Sequence, residues 1–215
     1  MTKIAQLSSA LHNKSLSRNL LTDVVGTVPD DHYCITHALG FLRLLLGRTV
    51  LGPIYLHFWK NYKNYLQSAD LTIHRHAVAI ECIVLTGIIQ NANYDWIESP
   101  EGHQMLFEKR FDGSHGQLSP TLQTGNAIIR DEECLTAGQY YSIPLGQFHR
   151  SRALEAPPAM TIVQFLETEK STAMIVAPRE FQARQLSYAS EKIDKRQTRA
   201  LIDQAIAAIA EMDLD

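Results

Sequence analysis

The spacing of apolar positions changes twice along the chain and divides it into three regions. The first, residues 1–52, is predicted to be a helical N-terminal extension. A short helix is expected over residues 11–25, ending near Gly26, and a second is expected after a cap at Asp30 or Asp31. The second helix would end at Gly47 and carry one apolar face, formed by Ile35, Leu39, Leu42 and Leu46.

Residues 53–178 follow a different pattern, in which short runs rich in Ile, Val, Tyr and Phe alternate with Gly, Pro, Asn and Asp. Many short strands at close spacing are typical of an all-β sandwich or barrel, and no long helical period interrupts them. The predicted fold class is therefore mainly β, with antiparallel strands. The expected strands are 54–59, 72–78, 82–90, 103–111, 126–131, 139–143, 149–153 and 161–167.

Residues 179–215 are predicted to be a helical C-terminal extension. From residue 190 onwards, an apolar stripe runs along a helix that is otherwise charged, formed by Ile193, Ala200, Leu201, Ala205, Ile206 and Ile209. The simpler interpretation is a helix packed on the outside of the β domain. The alternative is that the stripe forms a homodimer. The whole chain is interpreted as one domain with a helical extension at each end.

Composition narrows the classes of function. The 215 residues contain 20 basic and 23 acidic side chains, a formal net charge of -3, so no basic surplus favours nucleic acid. No long uncharged apolar run predicts a membrane span, and the first 21 residues lack the pattern of a signal peptide. The three cysteines are widely spaced, which argues against a disulfide framework and favours the reducing cytoplasm.

The chain has nine histidines, and two of them, His74 and His76, give the first indication of a functional site. Side chains alternate between the faces of a strand, so His74 and His76 project the same way, with Cα atoms roughly 6.5–7 Å apart. Two imidazoles at that separation can converge on one metal ion. Glu81 lies an odd number of positions from both histidines, so in one uninterrupted strand its side chain would point to the opposite face. It can join them only if the chain turns between Ala77 and Ile80.

A second segment runs from Gly138 to His149. Pro144 followed by Gly146 is typical of a turn, because proline fixes φ at the first corner and glycine accepts positive φ at the next. The turn would deliver His149 to the start of a new strand, where it could meet the other two histidines.

The two segments resemble the paired motifs of the cupin superfamily, whose members have an RmlC-like β-barrel. His74, His76 and Glu81 match the spacing of the first motif, and the second motif is matched by Gly138, Pro144, Gly146 and His149. Three positions depart from the pattern. The glycine that usually opens the first motif would fall at Ser68, and the motif's closing glycine, Gly87, comes one residue early. Ala153 replaces the asparagine that usually ends the second motif.

The resemblance implies a small antiparallel, jelly-roll-type cupin barrel that holds one divalent metal ion. The ligands would be His74, His76, Glu81 and His149. Mixed nitrogen and oxygen ligation suits Fe(II), Mn(II), Ni(II) or Zn(II), of which we favour Fe(II). Glu81 could instead support the ligands or act as a general base.

A narrower resemblance, from residues 56–59 to 72–76, is to thiol dioxygenases of the cysteine dioxygenase type. Those enzymes have a cysteine at the position of Glu81, whereas here Cys82 is displaced by one residue to the opposite face. Their arginine that binds the substrate carboxylate corresponds at most to Arg48. Cysteine itself is therefore not the expected substrate.

The pocket walls are less determined by sequence. Tyr55, His57 and Trp59 share one face of a strand, and either face could be the inward one. Tyr140 and Tyr141 straddle both faces, so one of them should reach the interior. Arg75 is expected to face outward. No role is predicted for the histidines without a spacing partner, namely His12, His32, His37, His103 and His115.

Three functions remain open, because one fold hosts many chemistries. The favoured prediction is a mononuclear non-haem metal-dependent oxygenase, an oxidoreductase that acts on a small molecule. The second is a cupin that binds a metal or a small ligand without redox chemistry. The third is a metal-dependent isomerase or lyase, in which the ion polarises a carbonyl.

Overall fold

The computed structural model describes residues 1–29, 31–37, 39–59, 71–112, 115–154, 158–167, 171–181 and 190–214. Within them the chain is mainly β, with antiparallel sheets, a closed six-stranded barrel and three helices near the termini. The predicted fold class is confirmed.

Three helices lie near the two ends of the part of the chain that the structure describes, and each begins at a side chain that caps it. They are α1 (Lys3–His12), α2 (Arg18–Gly26) and α3 (Lys195–Ala210). The side-chain oxygens of Thr2, Ser17 and Asp194 accept hydrogen bonds from backbone N–H groups in the first turns, which would otherwise be unpaired. None of the described helices has the length and apolar character that crossing a membrane requires.

The described residues between α2 and α3 form twelve strands. In chain order they are β1 (Ile35–Thr36), β2 (Leu42–Thr49), β3 (Gly52–Trp59), β4 (His74–Arg75), β5 (Ala79–Thr86), β6 (Ile89–Glu98), β7 (Gln104–Asp112), β8 (His115–Leu135), β9 (Tyr140–Ile143), β10 (Phe148–Ala153), β11 (Ala159–Leu166) and β12 (Met174–Pro178). One sheet has the order β1-β2-β3-β11-β5-β9, and the closed barrel has the order β10-β4-β12-β7-β8-β6.

The helix predicted over residues 35–46 is wrong. That segment forms β1 and β2, and β2 pairs antiparallel with β3 from Leu42 opposite Phe58 to Thr49 opposite Gly52. Leu42 and Leu44 are buried on one face while Arg43 projects from the other, so the period is two. The apolar spacing fitted a helix equally well, and pairing with β3 decided between the two. The proposed cap Asp30 lies outside the described residues.

The six-stranded sheet has one face covered by the helices. Its alternate residues Leu44, Leu56, Ile83 and Ile162 are fully buried and belong to one core cluster with residues of all three helices. In α3 the side chains that become buried are Thr198, Ile202, Ala205 and Ile209. The C-terminal helix thus packs on the outside of the β domain, as the simpler interpretation predicted. The other face of the sheet lines the cavity described below.

Glycine determines where β5 ends. The predicted strand 82–90 is divided by a bend at Gly87, which has φ of +75°, and the chain continues as β6 from Ile89. A Cβ atom at Gly87 would lie 2.6 Å from the Cα atom of Ala159, at the start of β11. Gly87 is required both for its backbone conformation and for the close approach of β11.

We expect Gly87→Ala to lower the free energy of unfolding more than Gly138→Ala. Gly138 has φ of +83° but no atom within 4 Å of an added Cβ, so its substitution costs conformational strain alone, about 1–2 kcal/mol. Gly87→Ala adds a backbone clash of at least about 1 kcal/mol. Urea denaturation of the two variants measures the difference, and equal losses would contradict the role given to Ala159.

Candidate metal centre

Three histidines meet between the two sheets. His74 lies on β4, His76 follows directly after that strand, and His149 lies on β10. β4 and β10 pair so that His149 stands opposite His74, and these two rings have centroids 4.5 Å apart. His76 completes the group, with its centroid 4.7 Å from that of His74 and 5.1 Å from that of His149.

One ring nitrogen of each histidine lies within 4.8 Å of those of the other two. The Nε2 atoms of His74 and His76 are 3.2 Å apart. Nitrogens that bind one ion at about 2.0–2.1 Å lie roughly 3–3.5 Å from one another. The separation of the His74 and His76 nitrogens therefore fits a shared metal ion, and His149 lies near enough to complete the group.

Hydrogen bonds behind two of the rings orient their free nitrogens. The Nδ1–H of His74 donates to the carbonyl of Thr72 at 2.9 Å, and Nδ1 of His149 lies 3.3 Å from Oδ1 of Asn91 and 3.2 Å from Oγ of Ser151. Protons placed at Nδ1 leave Nε2 with a lone pair. Nε2 of His149 is buried and has no hydrogen-bond partner.

Burial keeps these rings neutral. It lowers the pKa of His74 to about 4, and it lowers the pKa values of His76 and His149 well below the usual 6.5, with smaller effects from the neighbouring histidines. Neutral imidazole is the form that binds metal ions.

Glu81 does not join the three histidines, which corrects its expected position. The chain does turn after β4, but Glu81 then falls on the helix-covered face of β5, and His12 Nδ1 of α1 lies 2.8 Å from its Oε1. The side chains of Ile80 and Cys82 project from the opposite face of β5 and line the cavity instead. A two-residue period places Glu81 opposite Gln164 of β11, away from the three histidines.

The histidines line an inner cavity of about 40 Å³, room for a few water molecules. Of the predicted wall residues, the structure brings His57, Trp59 and Tyr141 to this cavity. Tyr55 shares their face but lies beneath the guanidinium group of Arg43, whose Cζ is 5.3 Å from its ring centroid. Tyr140 faces the helices, where its hydroxyl accepts from the N–H of Leu16 at 3.1 Å.

Cys82 lies against the site. It is opposite Tyr141 in the β5–β9 pair, and both side chains line the cavity. Burial raises the pKa of its thiol to about 12, so the group is neutral. Arg75 lies outside the inner cavity, with its Nε–H donating to the carbonyl of Thr172 at 3.2 Å.

The segment that was predicted to be helical contributes four residues to the cavity wall, and none of them was predicted from the sequence. They are His37, Leu39, Phe41 and Arg43. The rings of His37 and Phe41 are stacked with centroids 4.2 Å apart, and Phe41 lies 4.5 Å from His57. The signal that could have found them is the alternation of Phe41 and Arg43 with Leu42 and Leu44, read as a strand.

A larger cavity of about 530 Å³ adjoins the inner one and shares part of its wall, including His37, Arg43, His74 and His76. Its volume is in the range of sites for small molecules. The arrangement can therefore admit a small molecule beside the three histidines.

Comparisons with known proteins do not identify a family for this chain. No protein-family model and no curated protein matches the chain. Among solved structures, hydroquinone 1,2-dioxygenase PnpCD in complex with Cd2+ and 4-hydroxybenzonitrile is 15% identical with a TM-score of 0.35, covering 73% of this chain and 75% of its own. Hydroquinone 1,2-dioxygenase from Sphingomonas sp. TTNP3 with 4-hydroxybenzoate bound is 14% identical with a TM-score of 0.33, covering 60% and 73%.

E. coli ycfD is 16% identical with a TM-score of 0.27, over 80% of this chain and 47% of that one. At such TM-scores the likenesses establish neither a family nor an activity for this chain.

We expect His57→Phe to reduce the loss of stability on acidification. Burial, aided by Arg43, lowers the pKa of His57 from 6.5 to about 3. Between pH 6.5 and 3, His57 is therefore protonated in the unfolded chain but neutral in the folded chain. The free energy of unfolding that is present above pH 6.5 is lost as the pH falls toward 3. The wild type should lose up to about 1.4 kcal/mol more per pH unit than the variant. Urea titrations between pH 7 and 5 measure this, and parallel curves would contradict it.

Proposed function

We propose that this protein holds one divalent metal ion through His74, His76 and His149 and has a cupin-type site. The observation that carries the proposal is the convergence of three neutral ring nitrogens inside a buried cavity, with Nε2 of His149 left without a partner. A buried polar atom without a partner is costly, and a metal ion would satisfy it.

The donor set consists of three imidazoles with positions left for other ligands. This set suits Fe(II), Mn(II), Ni(II) and Zn(II), and we favour Fe(II). A bound ion would supply Lewis acidity and, if it is iron, the redox chemistry that dioxygen needs.

The chain's own residues would shape the surroundings of that ion. Asn91 and Ser151 hold the His149 ring, and Thr72 holds the His74 ring. Apolar and aromatic walls, formed by Phe41, Trp59, Ile143, Val163 and Phe165 among others, keep the inner cavity small and restrict water.

On this basis we propose a metal-dependent oxygenase that acts on a small molecule in the cytoplasm. A shielded cavity with a few water-sized positions beside the histidines, opening into a larger one, supports this reading. Two other functions use the same site: binding without redox chemistry, and an isomerase or lyase in which the ion polarises a carbonyl.

We predict that His74→Ala, His76→Ala and His149→Ala each lose the metal, because each removes one of three ligands. Elemental analysis of freshly purified protein measures this. The midpoint of thermal unfolding should also fall, since an ion bound to the folded state stabilises it. Glu81→Gln is the matched control. Its carboxylate faces α1, so its metal content should equal that of the wild type. Unchanged metal in all three histidine variants would disprove the site.

Metal identity separates the oxygenase from the other two functions. We expect iron in the purified protein and dioxygen uptake, followed with an oxygen electrode, when a panel of thiols and diketones is added. His76→Ala should abolish that uptake. Zinc or manganese in the purified protein, with no oxygen consumption after iron loading, would exclude the oxygenase and leave the Lewis-acid and binding functions.

A further inference from the structure

Lys109 on β7 lines the larger cavity, and the metal site makes no use of it. Its backbone N–H donates to the carbonyl of Ala173 at 2.9 Å, just before β12, whose Ile175 stands opposite Phe107 of β7. Lys109 and Phe107 lie two positions apart and share one face of the strand, and Phe107 is buried. The half-buried Lys109 side chain therefore borders the cavity together with Ile175.

The charges next to Lys109 in the sequence project from the other face of β7. Glu108 and Arg110 each lie one position away from it, so their side chains point to the opposite side of the strand. They pair with each other, with Nε of Arg110 2.8 Å from Oε1 of Glu108, and neither lines the larger cavity. The surroundings of the Lys109 amine are therefore set by the cavity wall.

That wall favours an uncharged amine. Two other cations, Arg43 and Arg75, line the same cavity, against one carboxylate among the described lining residues, that of Glu167. Burial, with a further effect of Arg43, lowers the pKa of Lys109 from 10.5 to about 8. The neutral amine is the nucleophilic form of lysine, and burial beside another cation is one way in which lysines become able to attack carbonyl compounds.

The rest of the wall suits a short aliphatic chain. The apolar side chains of Leu71, Val78, Met174 and Ile175 line the cavity, whose volume of about 530 Å³ is in the range of small-molecule sites. A small aliphatic carbonyl compound would therefore find an apolar wall and an amine in one cavity.

We propose that Lys109 binds small aliphatic aldehydes or ketones covalently, as an imine, in the larger cavity. The lone pair of Nζ attacks the carbonyl carbon and forms the C–N bond. The carbonyl oxygen then leaves as water with the two hydrogens of the amine, and a C=N bond remains. Nothing is oxidised or reduced, and the metal ion of the proposed function takes no part. Because His74 and His76 line the same cavity, the compound would be held beside the three histidines.

Reductive trapping with butanal tests the proposal. Sodium cyanoborohydride converts an imine into a stable secondary amine, and peptide mass spectrometry then identifies the lysine that carries the butyl group. Lys14 is the internal reference, because its side chain is exposed. At neutral pH we expect Lys109 to be labelled at least about tenfold faster than Lys14, since each unit by which a lysine pKa falls raises the neutral fraction about tenfold.

Labelling within a cavity should also saturate. The rate at Lys109 should level off as the butanal concentration rises, because the aldehyde binds before it reacts, whereas the rate at Lys14 should rise in proportion. The alcohol 1-butanol has the same chain without the carbonyl group, so it should slow the labelling of Lys109 and not that of Lys14. Equal rates at the two lysines, or labelling of Lys109 that 1-butanol does not slow, would overturn the proposal.

Substitutions identify the residue responsible. Lys109→Arg keeps the positive charge but cannot form an imine, so the fast labelling should be lost. Lys14→Arg is the matched control and should keep it. Fast labelling that persists in Lys109→Arg would contradict the assignment. The comparison of Lys109 with Lys14 uses the wild-type protein, so it does not depend on the folding of either variant.

The labelling is repeated after treatment with a chelator, so that failure of the metal site can be told apart from failure of the imine site. Fast labelling of Lys109 that survives chelation supports the imine site whether or not the protein holds a metal ion. Labelling that disappears on chelation would show that a metal ion activates the aldehyde, and it would overturn the role given to the surroundings of Lys109.

Discussion

The pairing of β4 with β10 is the contact on which the candidate site depends. β4 consists of His74 and Arg75 alone, and it is held between β10 and β12 in the closed barrel. This register places His149 opposite His74 across a sequence separation of 75 residues, and His76 follows within two positions. A slip of one residue would turn His149 to the other face, so the register of this short pair fixes whether three nitrogens can meet.

Because side chains alternate along each strand, the two faces of the six-stranded sheet have different roles. One face, with Leu44, Leu56, Ile83 and Ile162, joins the helices in the main core. The other face presents Arg43, His57, Cys82 and Val163 to the cavity. The helices therefore stabilise the sheet without entering the site. Glu81 belongs to the helix face, where it joins His12 of α1.

Electrostatics gives the cavity its chemical character. His74, His76 and His149 are kept neutral by burial, and the described inner wall contains one permanent cation, Arg43, and no carboxylate. A divalent ion would add two positive charges to such a wall.

The sequence by itself determined the β class, the helices near the two ends and the meeting of three of the four residues predicted to converge, because turn residues and the spacing of His74, His76 and His149 are local signals. It misplaced residues 35–46, where leucine spacing fits a helix and a strand equally. It also misplaced Glu81, because motif spacing does not reveal which face of β5 turns inward. Tertiary structure decided both, through the pairing of β2 with β3 and the packing of α1 against β5. Arg43 and His57 became neighbours only by that pairing, since strand register is a property of two distant segments and is not encoded in either alone.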